Sequence, residues 1–309
     1  MNWTATGVLG IDLGGTKIAA GIVDPASGAI IRSETVPTKA ASGGAVVLVD
    51  TVDLAKRLIV AAERRIVSIG LGVPQLVDNE GRIRSAYNFD WTELPVRERL
   101  SELAPTTIES DVRAAARAEA CFGAGKGRRT FAYVSIGTGV SYCLVIDGRP
   151  HVGANGFAIH FASSALHVPC AACGHVNAPV VEEIASGPAI ADAFARRTGR
   201  MVGGAEVLAA ANAGDAIAID IVNSAADQLG PLIALVVNML DPEAILLGGG
   251  LGLAAGPYQD RLIVSTRARI WADACRSLPI LPAALGKNAG VIGAALAGSQ
   301  LSTADMRGA

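Results

Sequence analysis

Two glycine turns and one aspartate hold most of the chemistry this sequence could do. Asp12-Leu13-Gly14-Gly15-Thr16-Lys17 lies between two apolar runs. Glycines there let the backbone approach a phosphate and turn N–H groups toward it, and Thr16 adds a hydroxyl donor. Asp12 could hold Mg²⁺ through water. Ser135-Ile136-Gly137-Thr138-Gly139 repeats the arrangement further along the chain. One such turn would be an ordinary hairpin, but two in one chain suggest a clamp on both sides of a triphosphate. Neither is the GxxxxGK[ST] loop that opens a helix in P-loop proteins. A third cluster, Gly248-Gly249-Gly250, follows a buried run and could admit a flat adenine.

Asp111 ends the strand-like run Thr107–Ser110 and precedes an Ala-rich helical stretch. A carboxylate so placed can take the proton of an attacking hydroxyl and position its oxygen. As ordinary structure, Ser110 or Asp111 would cap the helix, and the two roles are compatible. Four nitrogen and sulfur ligands, His167, Cys170, Cys173 and His175, fall within nine residues and offer a tetrahedral set for zinc. The alternative is a zinc-free loop.

These residues need a framework, and the chain is long enough for one. Its 309 residues, 51% of them apolar, can supply two cores. The formal net charge of −2 and the absence of a Lys/Arg cluster argue against a nucleic-acid partner. The start, MNWTATGVLGIDLGGT, has no basic stretch leading into an apolar signal core. The most apolar later stretch, Leu229 to Leu240, is short for a bilayer and contains Asn238. The expectation is a cytoplasmic protein with no membrane partner. Five cysteines without regular spacing argue against a disulfide framework.

Periodicity predicts strand–turn–strand around Asp12, a third strand over 29–34, a helix over 48–62, a buried strand over 66–73, a short helix over 95–103, then the strand into Asp111 and a helix over 112–120. A second cycle follows: strand–turn–strand around Gly137 ending in the hairpin turn Asp147-Gly148, helices over 187–197, 204–211 and 216–239, strands over 244–250 and 278–283, and a final helix over 289–298. Two similar halves predict an internally duplicated α/β fold. The expected boundaries are 1–112, joined by the C-terminal helix 294–309, and 113–293.

The order DLGGT, GVPQLVD, NFDW, SDVRAAA, SIGTG, GANGFA, ASGPAI, DPEAILLGGGL and GKNAGVIGAA resembles the ROK family, close to its bacterial glucokinases, over nearly the whole chain. The resemblance implies the actin-like ATPase (ribonuclease H-like) fold, two duplicated domains with a cleft between them. It implies ATP with Mg²⁺ and transfer of the γ-phosphoryl group to a sugar hydroxyl, often the primary one. It makes Asp111 the base. Asn88 and Glu182 match sugar-binding positions, and Gly72 and Pro74 would line the same site through backbone. Read alone, Asn88 is a turn residue and Glu182 a helix-start acid. A small sugar or cyclitol is the expected partner, and a homodimer the expected assembly.

The sequence also departs from that family. Ser110 stands where Asn is usual, His160 where a sugar-binding Glu is usual, and Ser163 where a His touches sugar and zinc. By family spacing the zinc positions are Ser163, Cys173, His175 and Val180, only two of which can bind metal. A site built on hydrogen bonds discriminates strongly when its donors and acceptors change. The expectation is therefore a kinase with an altered acceptor, an amino sugar such as kanosamine or a C7 cyclitol. The alternatives are an ordinary glucokinase and a sugar-binding protein without catalysis. Repressors of the family carry a helix-turn-helix domain of ~60–90 residues ahead of the first phosphate turn, a domain-sized stretch. Eleven residues precede Asp12 here, so a kinase is expected rather than a repressor.

Overall fold

The computed structural model describes residues 5–164, 168–169, 172–174, 176–177 and 180–305. In chain order it contains β1 (Thr6–Leu13), β2 (Lys17–Val23), β3 (Ile30–Pro37), α1 (Gly44–Val60), β4 (Arg65–Val73), α2 (Val96–Ser101), β5 (Thr106–Ser110) and α3 (Asp111–Phe122). Then come β6 (Thr130–Ile136), β7 (Val140–Ile146), β8 (Arg149–Pro150), the short pair β9 (Val168–Pro169) and β10 (Val176–Asn177), α4 (Glu182–Ala185), α5 (Gly187–Thr198), α6 (Gly204–Asn212) and α7 (Ala216–Leu240). The chain closes with β11 (Ile245–Gly248), α8 (Gly249–Gly252), α9 (Pro257–Arg267), β12 (Ile280–Pro282) and α10 (Ala289–Asp305).

These elements divide into two units. One takes the chain up to Gly127, Val145–Ala158 and the part from Lys287 onward; the other takes Arg128–Leu144 and Ile159–Gly286. The sheet of the first runs β3-β2-β1-β4-β5 and the second sheet runs β8-β7-β6-β11-β12. The same order appears twice, with the hairpin-linked strands at one end and two parallel strands at the other. In the first sheet β1 pairs antiparallel with β2 and parallel with β4, and β4 parallel with β5. In the second, β11 lies parallel to both β6 and β12. That repetition is the duplication expected from the two Gly-turn hairpins.

β1 and β4 are apolar almost without interruption because both faces of the first sheet are covered. One face packs Leu9, Ile11, Ile69 and Leu71 with Leu54 and Leu58 of α1. On the other, Val8 and Val23 meet Val291 and Ala295 of α10. Helix α10 comes close enough that a Cβ on Gly70 of β4 would overlap the Ala294 carbonyl, and a Cβ on Gly293 the Ala114 carbonyl of α3. Glycine is required at these two positions by proximity, not by backbone angle. The helix over 111–122, which the sequence placed at a domain boundary, thereby belongs to the first unit.

In the second unit, α5, α6, α7 and α9 contribute Phe194, Val207, Val222, Leu229 and Leu262 to a core over Val134, Ile136, Ile245 and Leu247. Helix α7 is longer than its most apolar stretch, and by length and composition it could cross a membrane. Its apolar side instead fills this core, with Ile221, Ala225, Leu229, Ile233 and Val237 buried. Asp215 caps it through the N–H groups of Ile217 and Ala218. At the β7–β8 hairpin, Asp147 and Gly148 both adopt positive φ, 48° and 72°, the twist a two-residue turn needs.

Candidate active site

In the first unit, register alone gathers four of the residues singled out in the sequence. Asp12 pairs with Gly72 across β1 and β4, Gly72 with Glu109 and Val73 with Ser110 across β4 and β5. Asp12, Gly72, Ser110 and Asp111 therefore stand together at the carboxyl ends of three neighbouring parallel strands, where open α/β sheets bind ligands. A Cβ on Gly72 would lie 3.6 Å from the Asp111 Cα. A Cβ on Gly15 would lie 3.1 Å from Asn88 Oδ1, so the asparagine borders the first glycine turn. Pro74 follows at the mouth of β4, half-buried.

The first turn is tightly made. Gly14 N–H donates to the Lys17 carbonyl at 2.9 Å. Thr38, just after β3, donates its hydroxyl to the Gly14 carbonyl at 2.8 Å and its N–H to the Thr16 carbonyl at 3.0 Å. Among the turn glycines, 14, 15, 137 and 139 keep negative φ. Their use is close backbone approach rather than a left-handed conformation. Thr16 and Lys17 face solvent, free to meet a ligand.

Burial raises the Asp12 pKa to about 6, with the Lys17 charge pulling it down. Asp111 is raised further, to about 7, first by burial and then by the charge of Asp12. The Val112 N–H, donating to Asp111 Oδ1 at 2.6 Å, and the Arg113 cation work in the other direction. Ser110 occupies the N-cap position of α3 but its side chain makes no cap bond. Its buried hydroxyl has no hydrogen-bond partner. A carboxylate whose pKa lies near neutrality, at a strand end beside a glycine turn, is suited to general-base work.

The second unit assembles its own set. Gly137 N–H donates to the Gly139 carbonyl at 2.9 Å and closes the second turn. The third cluster lies beside it: a Cβ on Gly137 would be 3.9 Å from the Gly250 N, and Gly249, at φ 76°, would drive a Cβ into the Ile136 carbonyl. Glu182, at the start of α4, accepts the Val140 N–H at 2.7 Å, and a Cβ on Gly139 would lie 2.8 Å from its Oε2. His160 Nδ1 is 3.2 Å from Ser163 Oγ. Partial burial lowers the His160 pKa, while the Glu182 charge raises it. His160, Ser163 and Glu182 thus share one neighbourhood next to the second turn, with Thr138 exposed at its tip.

A model described as the ROK family matches residues 8–300 of this chain. The chain belongs to the ROK family. It is 30% identical over 314 residues to a glucokinase of Streptomyces coelicolor, covering 93% of this chain and 96% of that protein. The crystal structure of a ROK family glucokinase from Streptomyces griseus, in complex with glucose and AMPPNP, superposes with a TM-score of 0.83 at 27% identity, covering 95% of this chain and 99% of the other. A ROK hexokinase from Thermus thermophilus gives a TM-score of 0.78 at 33% identity over 97% and 99%. The fold is thus that of the ROK sugar kinases, the actin-like ATPase arrangement expected from the motifs.

The residues of this ROK chain fit a nucleotide with a divalent cation. Asp12 offers a recessed carboxylate beside the first turn, and Gly290 at the start of α10 leaves room for it where a Cβ would overlap its oxygens. A carboxylate held at raised pKa gains from pairing with a cation. For zinc the situation is different. His167, Cys170 and His175 lie outside the described residues, and Cys173 is exposed. Among the described residues no group of three or more His, Cys, Asp or Glu is placed to hold a metal.

Two contributors escaped the sequence. Gln75, 3% exposed, donates Nε2 to the Phe89 carbonyl at 2.7 Å and so fixes the loop that bears Asn88. Phe89 in turn stacks tilted on Trp91 at 4.9 Å, and the Trp91 indole N–H donates to the Gly44 carbonyl at 2.7 Å. Thr38 is the other. Both act through contacts distant in sequence, for which a single chain carries no local signal.

Proposed function

We propose that this sugar kinase of the ROK family transfers the γ-phosphoryl group of ATP to the primary hydroxyl of a hexose-like acceptor other than glucose, an amino sugar such as kanosamine or a C7 cyclitol. The observation that carries the phosphoryl-transfer reading is the placement of Asp111 beside Asp12 and Gly72 at the ends of β5, β1 and β4. Asp111 takes the acceptor proton and holds the oxygen in line. Asp12 and the turn Gly14–Lys17 hold the phosphates and their Mg²⁺, which neutralises charge as the γ-phosphoryl group leaves. Gly137, Thr138 and Gly139 hold the other side of the triphosphate, and Gly248, Gly249 and Gly250 border the adenine. Asn88, Ser110, His160, Ser163 and Glu182 bind the acceptor, with Gly72 and Pro74 lining it.

The altered acceptor follows from three positions. Ser110 brings a buried hydroxyl without a completed hydrogen bond. His160 and Ser163 are paired to each other where the family has a carboxylate and a His. An imidazole of lowered pKa replaces a carboxylate acceptor only in part. Each mispaired buried polar group costs about 1–3 kcal/mol. Two together lower kcat/KM for glucose by roughly two to four decades against a matched acceptor. The test is ADP formation with glucose, glucosamine, mannose, N-acetyl sugars, kanosamine and cyclitols under one set of conditions. Kanosamine or a cyclitol leading is the expected result; glucose leading with an ordinary glucokinase value would make the protein a glucokinase.

The same reading assigns a zinc ion to His167, Cys170, Cys173 and His175, and a homodimer as the working assembly. One equivalent of zinc per chain, lost in Cys173→Ala, and a dimer mass by light scattering are the expected results.

A further inference from the structure

The geometry points to Arg113 as a positioning residue that ties the base-bearing end of α3 to the two segments leading into the acceptor site. This rests on the acceptor-site reading above. Arg113 sits two residues after Asp111, and its side chain is 4% exposed. One guanidinium nitrogen, Nη1, donates to the Gly156 carbonyl, and Nη2 donates to the Val77 carbonyl at 3.2 Å. Val77 follows Gly72–Pro74 and Gln75 on the exit from β4. Gly156 belongs to the run 153–158 that leads directly into His160 and Ser163. One planar cation thus holds two backbone carbonyls from segments otherwise far apart in sequence, and a guanidinium fork suits this in a way an ammonium does not.

The rest of the contact is built around that fork. Gly156, at φ 84°, packs so close to the 77–78 backbone that a side chain there would overlap it. Asn79 Nδ2 donates to the Ala154 carbonyl at 2.8 Å, a second tie between the same two segments. On its other side Arg113 Nε stands 3.5 Å from Glu109 Oε1 without a hydrogen bond. Glu109 instead receives Arg117, with Nη2 at 2.9 Å from Oε1 and 3.1 Å from Oε2. Glu109 is therefore satisfied without Arg113, and the fork of Arg113 is spent on the two carbonyls. Arg117 serves as an internal comparison: it is on the same helix, partly buried, paired to the same carboxylate, and bonds neither segment.

The test uses the full chain with Arg113→Lys, Arg113→Met and Arg117→Met. Lysine keeps the charge but holds at most one carbonyl well. The expected result for Arg113→Lys is an acceptor KM raised about tenfold, the scale of one lost hydrogen bond to a charged group, with the KM for ATP within about twofold. Hydrogen exchange over residues 152–158 is expected to quicken in both Arg113 variants without any ligand. Arg117→Met is expected to melt lower yet keep both KM values and the exchange of 152–158. Should Arg113→Met not fold, Arg113→Lys alone decides. Unchanged exchange and an unchanged acceptor KM in Arg113→Lys, or equal shifts in both KM values, would overturn the assignment. The exchange measurement needs no turnover, so a chain inactive on every acceptor would defeat the kinase reading while leaving this coupling tested.

Discussion

The charge of Asp12 raises the pKa of Asp111, which burial has already lifted, and the two effects bring it to about 7. The pair stands at the ends of β1 and β5 with Gly72 between them. Asp111 must lose its proton to act as a base, so kcat/KM should fall as pH drops below about 7. In Asp12→Asn the overall rate falls, but the limb itself moves to lower pH because a neighbouring negative charge is gone. Rate–pH profiles of the two proteins check this; a limb that stays in place would separate the two carboxylates energetically.

The same shift has a consequence for stability. A carboxyl of folded pKa near 7, against 3.8 for the ordinary group, binds more protons folded than unfolded between those values. Its contribution is present at acid pH and is lost as pH rises toward 7. Asp111→Asn should therefore melt higher than the parent at pH 8, with the difference shrinking toward pH 4. Thermal melts across that range read it directly.

Gly249 and Gly250 should separate two effects that glycine clusters usually mix. A Cβ on Gly249 would overlap the Ile136 carbonyl, at a φ of 76° that side chains disfavour, whereas Gly250 has open space. Gly249→Ala is expected to cost stability outright, about 1–3 kcal/mol for strain of this kind. Gly250→Ala should fold normally and raise the KM for ATP. Equal melting temperatures for the two would contradict the close approach of α8 to β6.

Gln75→Ala removes the donor to the Phe89 carbonyl and loosens the loop bearing Asn88. A several-fold rise in acceptor KM with little change in that for ATP is expected, on the scale of about 1 kcal/mol for one buried hydrogen bond. Parallel changes in both constants would mean the loop serves the nucleotide as well.

Much of this architecture could be read from the chain because its signals are local. The runs flanking Gly14 and Gly137 are apolar enough to be strands, and the β1–β2 and β6–β7 hairpins lie where they were expected. Strand β3 runs to Pro37, beyond the expected Glu34, because it is an edge strand with most side chains exposed and no apolar alternation to mark its length. Helix α1 begins at Gly44 with no side-chain cap, so nothing in the sequence announces it before Leu48. Asp111 was legible as a strand-end acid, but its raised pKa depends on Asp12, a residue on another strand. Arg113, Gln75 and Thr38 bond to carbonyls 43, 14 and 24 residues away, and only the folded chain brings those together.

Whether Asp111 is the base is decided by Asp111→Asn. The measurement is turnover of the best acceptor alongside calorimetric binding of acceptor and nucleotide to the purified variant. Binding near that of the parent and turnover lower by several orders of magnitude are expected, since proton removal and positioning of the attacking oxygen are lost together. Near-normal turnover with normal binding would contradict it.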